Sequence, residues 1–244
     1  MSTYYRCYFE VLIVAYLFKY GEVLDKVRID KIISPFDLED AARSVNSKPG
    51  LYISVNLQSV TDPALMGLLS FDNVTGYVDG VGAQFYLRKY GVNFNKIPGC
   101  ELWLSLLEQR SNKNCSIAVI GASSNVNDKT VRLLREQFPM HSVDYYIDGY
   151  SFVEDELVDE IASHNFDYIF ISLGQPKQEF LGMKFAKVNP NAIILGLGGS
   201  FDVYCGSVKR APKFMIYMNL EWLYRIASQP KRIPKLIRAF LKAV

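Results

Sequence analysis

The chain reads as an α/β protein: a Rossmann-like layered fold with a mainly parallel sheet, followed by a basic helical appendage. Three observations predict it. Short apolar runs alternate with longer amphipathic stretches from Leu51 onward, the signature of βα units. Several runs are apolar almost throughout, as expected of parallel strands covered on both faces. Glycines and polar residues gather after the runs, at one kind of strand end, where ligands of open α/β sheets collect.

The elements follow in order. Runs 51–56, 74–78, 115–120, 142–147, 167–173 and 191–197 predict strands. Stretches 82–90, 101–110, 126–138, 152–164 and 176–188 predict the helices between them, with Pro176 suited to a first turn. The strand ends carry Asn56, Asp79, Gly121 and Ser123, Gly149, Gly174 to Gln178, and Gly198 to Asp202, which predicts a single ligand crevice. Beyond Pro212 the character changes. Residues 214–229 predict one helix, stopped by Pro230, and 233–244 a second. The second places Ile233, Leu236, Ile237, Phe240, Leu241 and Val244 at spacings of one helix face, with Lys235, Arg238 and Lys242 elsewhere. Such a helix suits a bilayer interface, or docks on the core.

Composition bounds the function. With 244 residues, half of them hydrophobic, the chain suits one sizeable domain, or a domain with an appendage. Four scattered cysteines and two histidines argue against a disulfide framework, a zinc site or a histidine-rich metal centre. No run reaches the ~18 apolar residues of a membrane span. Residues 7–22 come nearest, but Glu10 interrupts them and no small-residue cleavage site follows, which leaves a packed element, membrane contact or targeting. Charge is lopsided. Residues 209–244 hold nine Lys or Arg and one acid, Glu221, while the first 208 carry a net −6. A basic tail on an acidic body points to a polyanionic partner and favours the membrane reading of the last helix.

Three motifs carry the chemistry. In "TGYVDGVG" (75–82), Asp79 ends a strand among glycines; it is a turn residue or a base that a ligand can approach. "LGLGGSFDVYCGSVKRAP" (195–212) offers backbone N–H groups to a phosphate. As a dinucleotide fingerprint it is defective, because it runs into basic helices instead of opening a βαβ unit. "LGQPKQEF" (173–180) sets Gln178 and Glu179 in a helix's first turn, as a plain helix start or as a sugar or nucleotide ligand.

These motifs, with "SVN" (54–56), "KIPGCEL" (96–102) and "LEWLYRIASQPKR" (220–232), resemble the WecG/TagA/CpsF family of bacterial glycosyltransferases, glycosyltransferase family 26. The likeness runs from Val27 to Arg238 in the family's order. It implies an inverting transferase that moves a sugar from a UDP-sugar to a lipid-pyrophosphate-linked sugar at the cytoplasmic membrane surface, in cell-surface polysaccharide or teichoic acid synthesis. It places the general base at Asp79 and tail cations at Arg225, Arg232 and Lys235. Ser54, Asn56, Gln178 and Asp202 fall on positions lining the pocket. Gly198 and Gly199 are expected to approach the substrate, and Lys96 stands where Arg is usual. Glu101 replaces the usual Asp, and "GASS" (121–124) lacks the usual second glycine.

The expected organisation is an extension over 1–26, a catalytic α/β domain over 27–212 and the appendage over 213–244. No D-x-D occurs, so no metal and no cofactor is expected and the tail cations are assigned to the leaving diphosphate. The competing readings are a nucleotide-binding oxidoreductase, an inactive membrane-bound nucleotide-sugar module, and a nucleic-acid binder stacking bases on Phe214, Tyr217, Trp222 and Tyr224. Intact Asp79 and Gln178 argue against the second, and helical spacing of the aromatics against the third.

Overall fold

The computed structural model describes residues 28–88, 91–228 and 233–243. The extension over 1–26 and Arg232 lie outside them. Seven strands form one all-parallel sheet: β1 (Ile32–Ile33), β2 (Gly50–Val55), β3 (Val74–Val78), β4 (Ser116–Gly121), β5 (Ser142–Ile147), β6 (Tyr168–Ser172) and β7 (Ile193–Gly196), in the order β1-β3-β2-β7-β6-β4-β5. The six expected strands are all present, within two residues of their expected limits. The two-residue edge strand β1 is too short to leave a pattern.

Both faces are covered. On one face, Leu51, Ile53 and Val55 of β2 and Ile169 and Ile171 of β6 pack with α2 (Leu57–Val60), α3 (Pro63–Gly67), α4 (Val81–Arg88), α7 (Glu154–Ala162) and α8 (Lys177–Val188). On the other, Tyr52, Tyr77, Tyr168, Phe170 and Leu195 meet α1 (Leu38–Asn46), α5 (Gly99–Gln109), α6 (Ser124–Gln137) and α9 (Ser200–Tyr204). Trp103 of α5 anchors this second layer, edge-on to Phe170 at 5.3 Å and Tyr204 at 5.0 Å between ring centroids. Strands β2, β6 and β7 are buried at every residue. That double burial is why they read as unbroken apolar runs.

The tail departs from expectation. Residues 214–229 do not form one helix. They split into α10 (Lys213–Tyr217) and α11 (Glu221–Ser228), with α12 (Ile233–Ala243) following. The break is a Schellman closure: Leu220 N–H bonds to Met215 C=O at 2.7 Å and Asn219 N–H to Ile216 C=O at 3.0 Å. Asn219 takes φ +60°, a left-handed conformation that asparagine tolerates better than most side chains. Helix α12 rests against α2 with Ala239 buried, so it docks on the body. Ile233, Ile237 and Leu241, spaced four apart, remain on its open side.

One close approach shapes the sheet's carboxyl edge. Gly121 ends β4 with φ +111°, and a Cβ there would lie 2.4 Å from the Ser172 carbonyl oxygen of β6. Gly121→Ala therefore combines backbone strain with a backbone clash. We expect it to lower the unfolding free energy by at least about 2 kcal/mol, read from urea melts.

Candidate active site

The expected site residues converge at the carboxyl ends of β2, β3, β6 and β7, and they divide into a frame and a centre. In the frame, Asn56 caps α2: its side-chain oxygen accepts from Gln58 N–H at 2.9 Å and Ser59 N–H at 3.2 Å. The Asn56 amide donates to Gln175 Oε1 at 2.9 Å. Gln175 Nε2 in turn donates to the Ser54 carbonyl at 2.9 Å and approaches the Ser54 hydroxyl at 3.3 Å. Ser54 and Asn56 are thus joined to the β6–α8 loop through Gln175, a residue within the expected strand-end group 174–178 to which no role of its own was given.

Gln178, expected as a sugar or nucleotide contact, makes three hydrogen bonds within the protein. Its side chain is 1% exposed. Its oxygen accepts both Gly174 N–H at 3.0 Å and Gly198 N–H at 2.9 Å, and its amide donates to Glu179 at 2.9 Å. One carboxamide thereby ties the β6–α8 loop to the β7–α9 loop, and its hydrogen-bonding capacity is engaged within the protein. Glu179 is fully buried, and burial pushes its carboxyl above the usual range against the opposing pull of its amide donors.

The centre is built on Asp79. Half-buried at the end of β3, it follows Tyr77 and Val78 in the core and precedes α4. Space beside Gly80 is open. Across from it, α5 begins at Gly99, where a Cβ would meet the Tyr77 hydroxyl at 2.7 Å and the Asp79 carboxylate at 3.5 Å. Glycine here lets the start of α5 come close to the acid. Burial pushes the Asp79 carboxyl up. Arg225, Lys96 and the Gly99 N–H pull it down, while Glu221 pushes it further up. The net direction is upward, as for a carboxylate made more basic.

The tail supplies the opposing charge. Arg225 on α11 lies close enough to act on the Asp79 charge, keeps 44% of its side-chain surface open, and is paired with Glu221 at 2.6 Å. Lys96 reaches the tail itself, donating to the Asn219 side-chain oxygen at 3.3 Å, so it links body and appendage. Arg225 and Glu221 line a cavity of about 240 Å³ together with Gly199, Asp202, Lys209 and Arg210. Arg210 is held there by Glu101. Gly198 borders this region with φ +56°. Cys100, on the first turn of α5, lies close enough to feel Arg210, Asp79 and Glu221; burial pushes its thiol up to about 11.

Gly199, Asp202 and Arg225 therefore line one cavity, Asp79 and Lys96 lie within electrostatic reach of it through Arg225, Glu221 and Asn219, and Ser54, Asn56, Gln178 and Gly198 form the neighbouring frame. Of the other expected cations, Arg232 lies outside the described residues, and the Lys235 side chain is likewise outside them. Glu221 and Arg210 belong to the site without having been expected there, and Gln175 without a role of its own. Among the described residues, no three His, Cys, Asp or Glu side chains converge as a metal site. Strand β7 is followed only by helices, so the glycines of 196–199 do not open a βαβ unit.

Comparison with known proteins places this geometry in context. A family model described as "Glycosyl transferase WecG/TagA/CpsF family" matches residues 24–244. A Bacillus spizizenii protein named N-acetylglucosaminyldiphosphoundecaprenol N-acetyl-beta-D-mannosaminyltransferase is 38% identical over 171 residues. The aligned region covers 67% of this chain and 66% of that relative, just under two thirds of its length.

The frame generates a stability prediction. Gln178→Ala removes the shared acceptor of two loop N–H groups, and each that no water reaches costs about 1–3 kcal/mol. Thermal melts should show a loss of several degrees. An unchanged melting temperature would mean that the Gln178 clamp carries no net stability.

Proposed function

The chain belongs to the WecG/TagA/CpsF family of glycosyl transferases, and from that premise we propose that it transfers a sugar from a UDP-sugar to a lipid-pyrophosphate-linked sugar, with inversion. The observation that carries this reading is Asp79 held at the end of β3 within electrostatic reach of the Arg225 guanidinium, which itself lines a cavity. A base and a cation so close suit a displacement that must remove a proton on one side and receive a diphosphate on the other.

The step balances with these groups. Asp79 takes the proton of the acceptor hydroxyl as that oxygen forms its bond to the anomeric carbon. The anomeric carbon's bond to the diphosphate oxygen breaks, and the electron pair leaves with the nucleoside diphosphate. Arg225 meets the charge that develops there through charge-assisted hydrogen bonds; Arg232 and Lys235 are assigned the same task. The cluster needs no metal ion in this scheme, and no cofactor is assigned. The relative's name supports N-acetylmannosamine as donor sugar and an undecaprenyl-diphosphate-linked N-acetylglucosamine as acceptor. N-acetylmannosaminuronic acid and glucose are the competing donors.

The place of action follows from the acceptor. No helix among the described residues is long and apolar enough to cross a membrane. The tail nevertheless exposes Phe214, Tyr217 and Met218 around α10, Leu223 on α11, and Ile237 and Leu241 on α12. Apolar and aromatic side chains beside a basic composition suit an interfacial contact. We assign the protein to the cytoplasmic face of the membrane as a peripheral enzyme.

Two measurements test this reading. Asp79→Asn should leave folding and donor binding nearly intact and lower turnover on the order of 10²–10⁴-fold. In the wild type, kcat/KM should be flat above the raised pKa of Asp79 and fall as pH drops through it, because only the carboxylate accepts a proton. Near wild-type turnover of Asp79→Asn at saturating substrates removes Asp79 from the mechanism. For the membrane, Ile237→Ser with Leu241→Ser should weaken sedimentation with anionic vesicles and leave turnover on a short-chain, water-soluble acceptor nearly unchanged. Undiminished sedimentation means that those two residues make no membrane contact.

A further inference from the structure

Glu221 is the one acid among residues 209–244; it opens α11, where the helix dipole favours an acid, and it also lines a cavity otherwise rich in cations. The Asn219 closure turns the chain, and α11 begins two residues later. Residues 221 and 225 are one helical turn apart, and both charges are felt by Asp79. The Glu221 side chain is 15% exposed and accepts from Arg225 Nη2 at 2.6 Å. As a helix staple, such an i,i+4 pair contributes only about 0.3–0.5 kcal/mol. A half-hidden carboxylate in an opening meant for a diphosphate is electrostatically adverse. Its placement makes sense if it directs the guanidinium: one Nη is engaged, and the other donors of the fork remain for phosphate oxygens.

We propose that Glu221 is a positioning residue of the reaction centre, which through its 2.6 Å ion pair aims the Arg225 guanidinium, in the cavity both line, at the donor's diphosphate. The inference rests on the roles given above to Asp79 and Arg225. The groups that act on the Asp79 charge are Glu221 and Arg225 from α11, Lys96 from the segment before α5, Cys100 and the Gly99 N–H from α5, and Tyr77 on its own strand. Glu221 is also felt by Arg210 and Cys100. Within this set the two members of the ion pair act on Asp79 in opposite senses: Glu221 makes it harder to ionise and Arg225 makes it easier.

That opposition provides a readout that a merely structural role would not move. Glu221→Gln, Arg225→Ala and the double variant are compared with wild type by UDP titration calorimetry and by kcat/KM against pH on a soluble acceptor, with melting curves as a folding check. Glu221→Gln should weaken UDP binding by roughly threefold to tenfold, the size of one misdirected charge-assisted contact. It should have no further effect once Arg225 is gone. Its low-pH limb should move to lower pH, because a like charge has left the base; that of Arg225→Ala should move to higher pH. If Glu221→Gln binds UDP as tightly as wild type or more tightly, the carboxylate competes with the diphosphate and the proposal fails. Additive losses in the double variant, or limbs that move the same way, also overturn it. If Arg225→Ala itself leaves UDP affinity intact, the broader reading of Arg225 fails, which the single variants distinguish.

Discussion

A sheet whose strands all run the same way must be covered on both faces, because each crossover lays a helix on one face or the other. That constraint governs the rest of this molecule. Its two apolar layers seal the sheet, and the three central strands β2, β7 and β6 are buried from end to end. Polar chemistry is thereby driven to the carboxyl edge, where loops leave the strands. The edge needs its own bracing, since loops there lack neighbours in a ladder. Gln178 and Gln175 provide it, the first joining the loops after β6 and β7, the second joining β2 to β6. Both are neutral amides that donate and accept at once, so loop backbone and side-chain groups are satisfied without adding charge at this edge.

The centre combines two parts with different origins. Asp79 belongs to the sheet, and its environment is set by burial and by the close start of α5. The cation belongs to the appendage. Bringing Arg225 to Asp79 requires the left-handed turn at Asn219 and the Lys96 contact that holds the turn against the body. The base thus sits between a desolvated floor that favours its neutral form and a cationic roof that favours its charged form. Such opposition moderates the shift, and its net direction leaves the carboxylate more basic than one in water.

How much of this was legible in the sequence depended on the range of each interaction. The interior strands were visible because double burial writes an uninterrupted apolar run. Asp79 stood out because a carboxylate closing such a run has few structural reasons to be there. The short helices α2 and α3 were not visible, being shorter than the window over which a helical period can be read. The split in the tail was hidden because neither glycine nor proline marks it; Asn219, a residue that tolerates left-handed backbone, was the available signal. Gln178 was singled out for a contact with ligand; its clamp was hidden, since nothing local reveals that the glycine amides at 174 and 198 converge on it. The role of Gln175 was invisible because its partners lie about 120 residues away, where only the folded sheet brings them together.

The division of labour between body and tail has an evolutionary consequence. Among the residues whose side chains are described, neither apolar layer extends beyond Cys205, and Ala239 is the one residue of 213–243 that is buried. The described core is therefore built upstream of the segment that carries Arg225. Substitutions in the appendage escape the stability filter that constrains a core, and selection acts on them chiefly through what they bind. Such a segment can diverge quickly, retaining the few side chains that face the reaction centre while the rest of its surface adapts to a new partner.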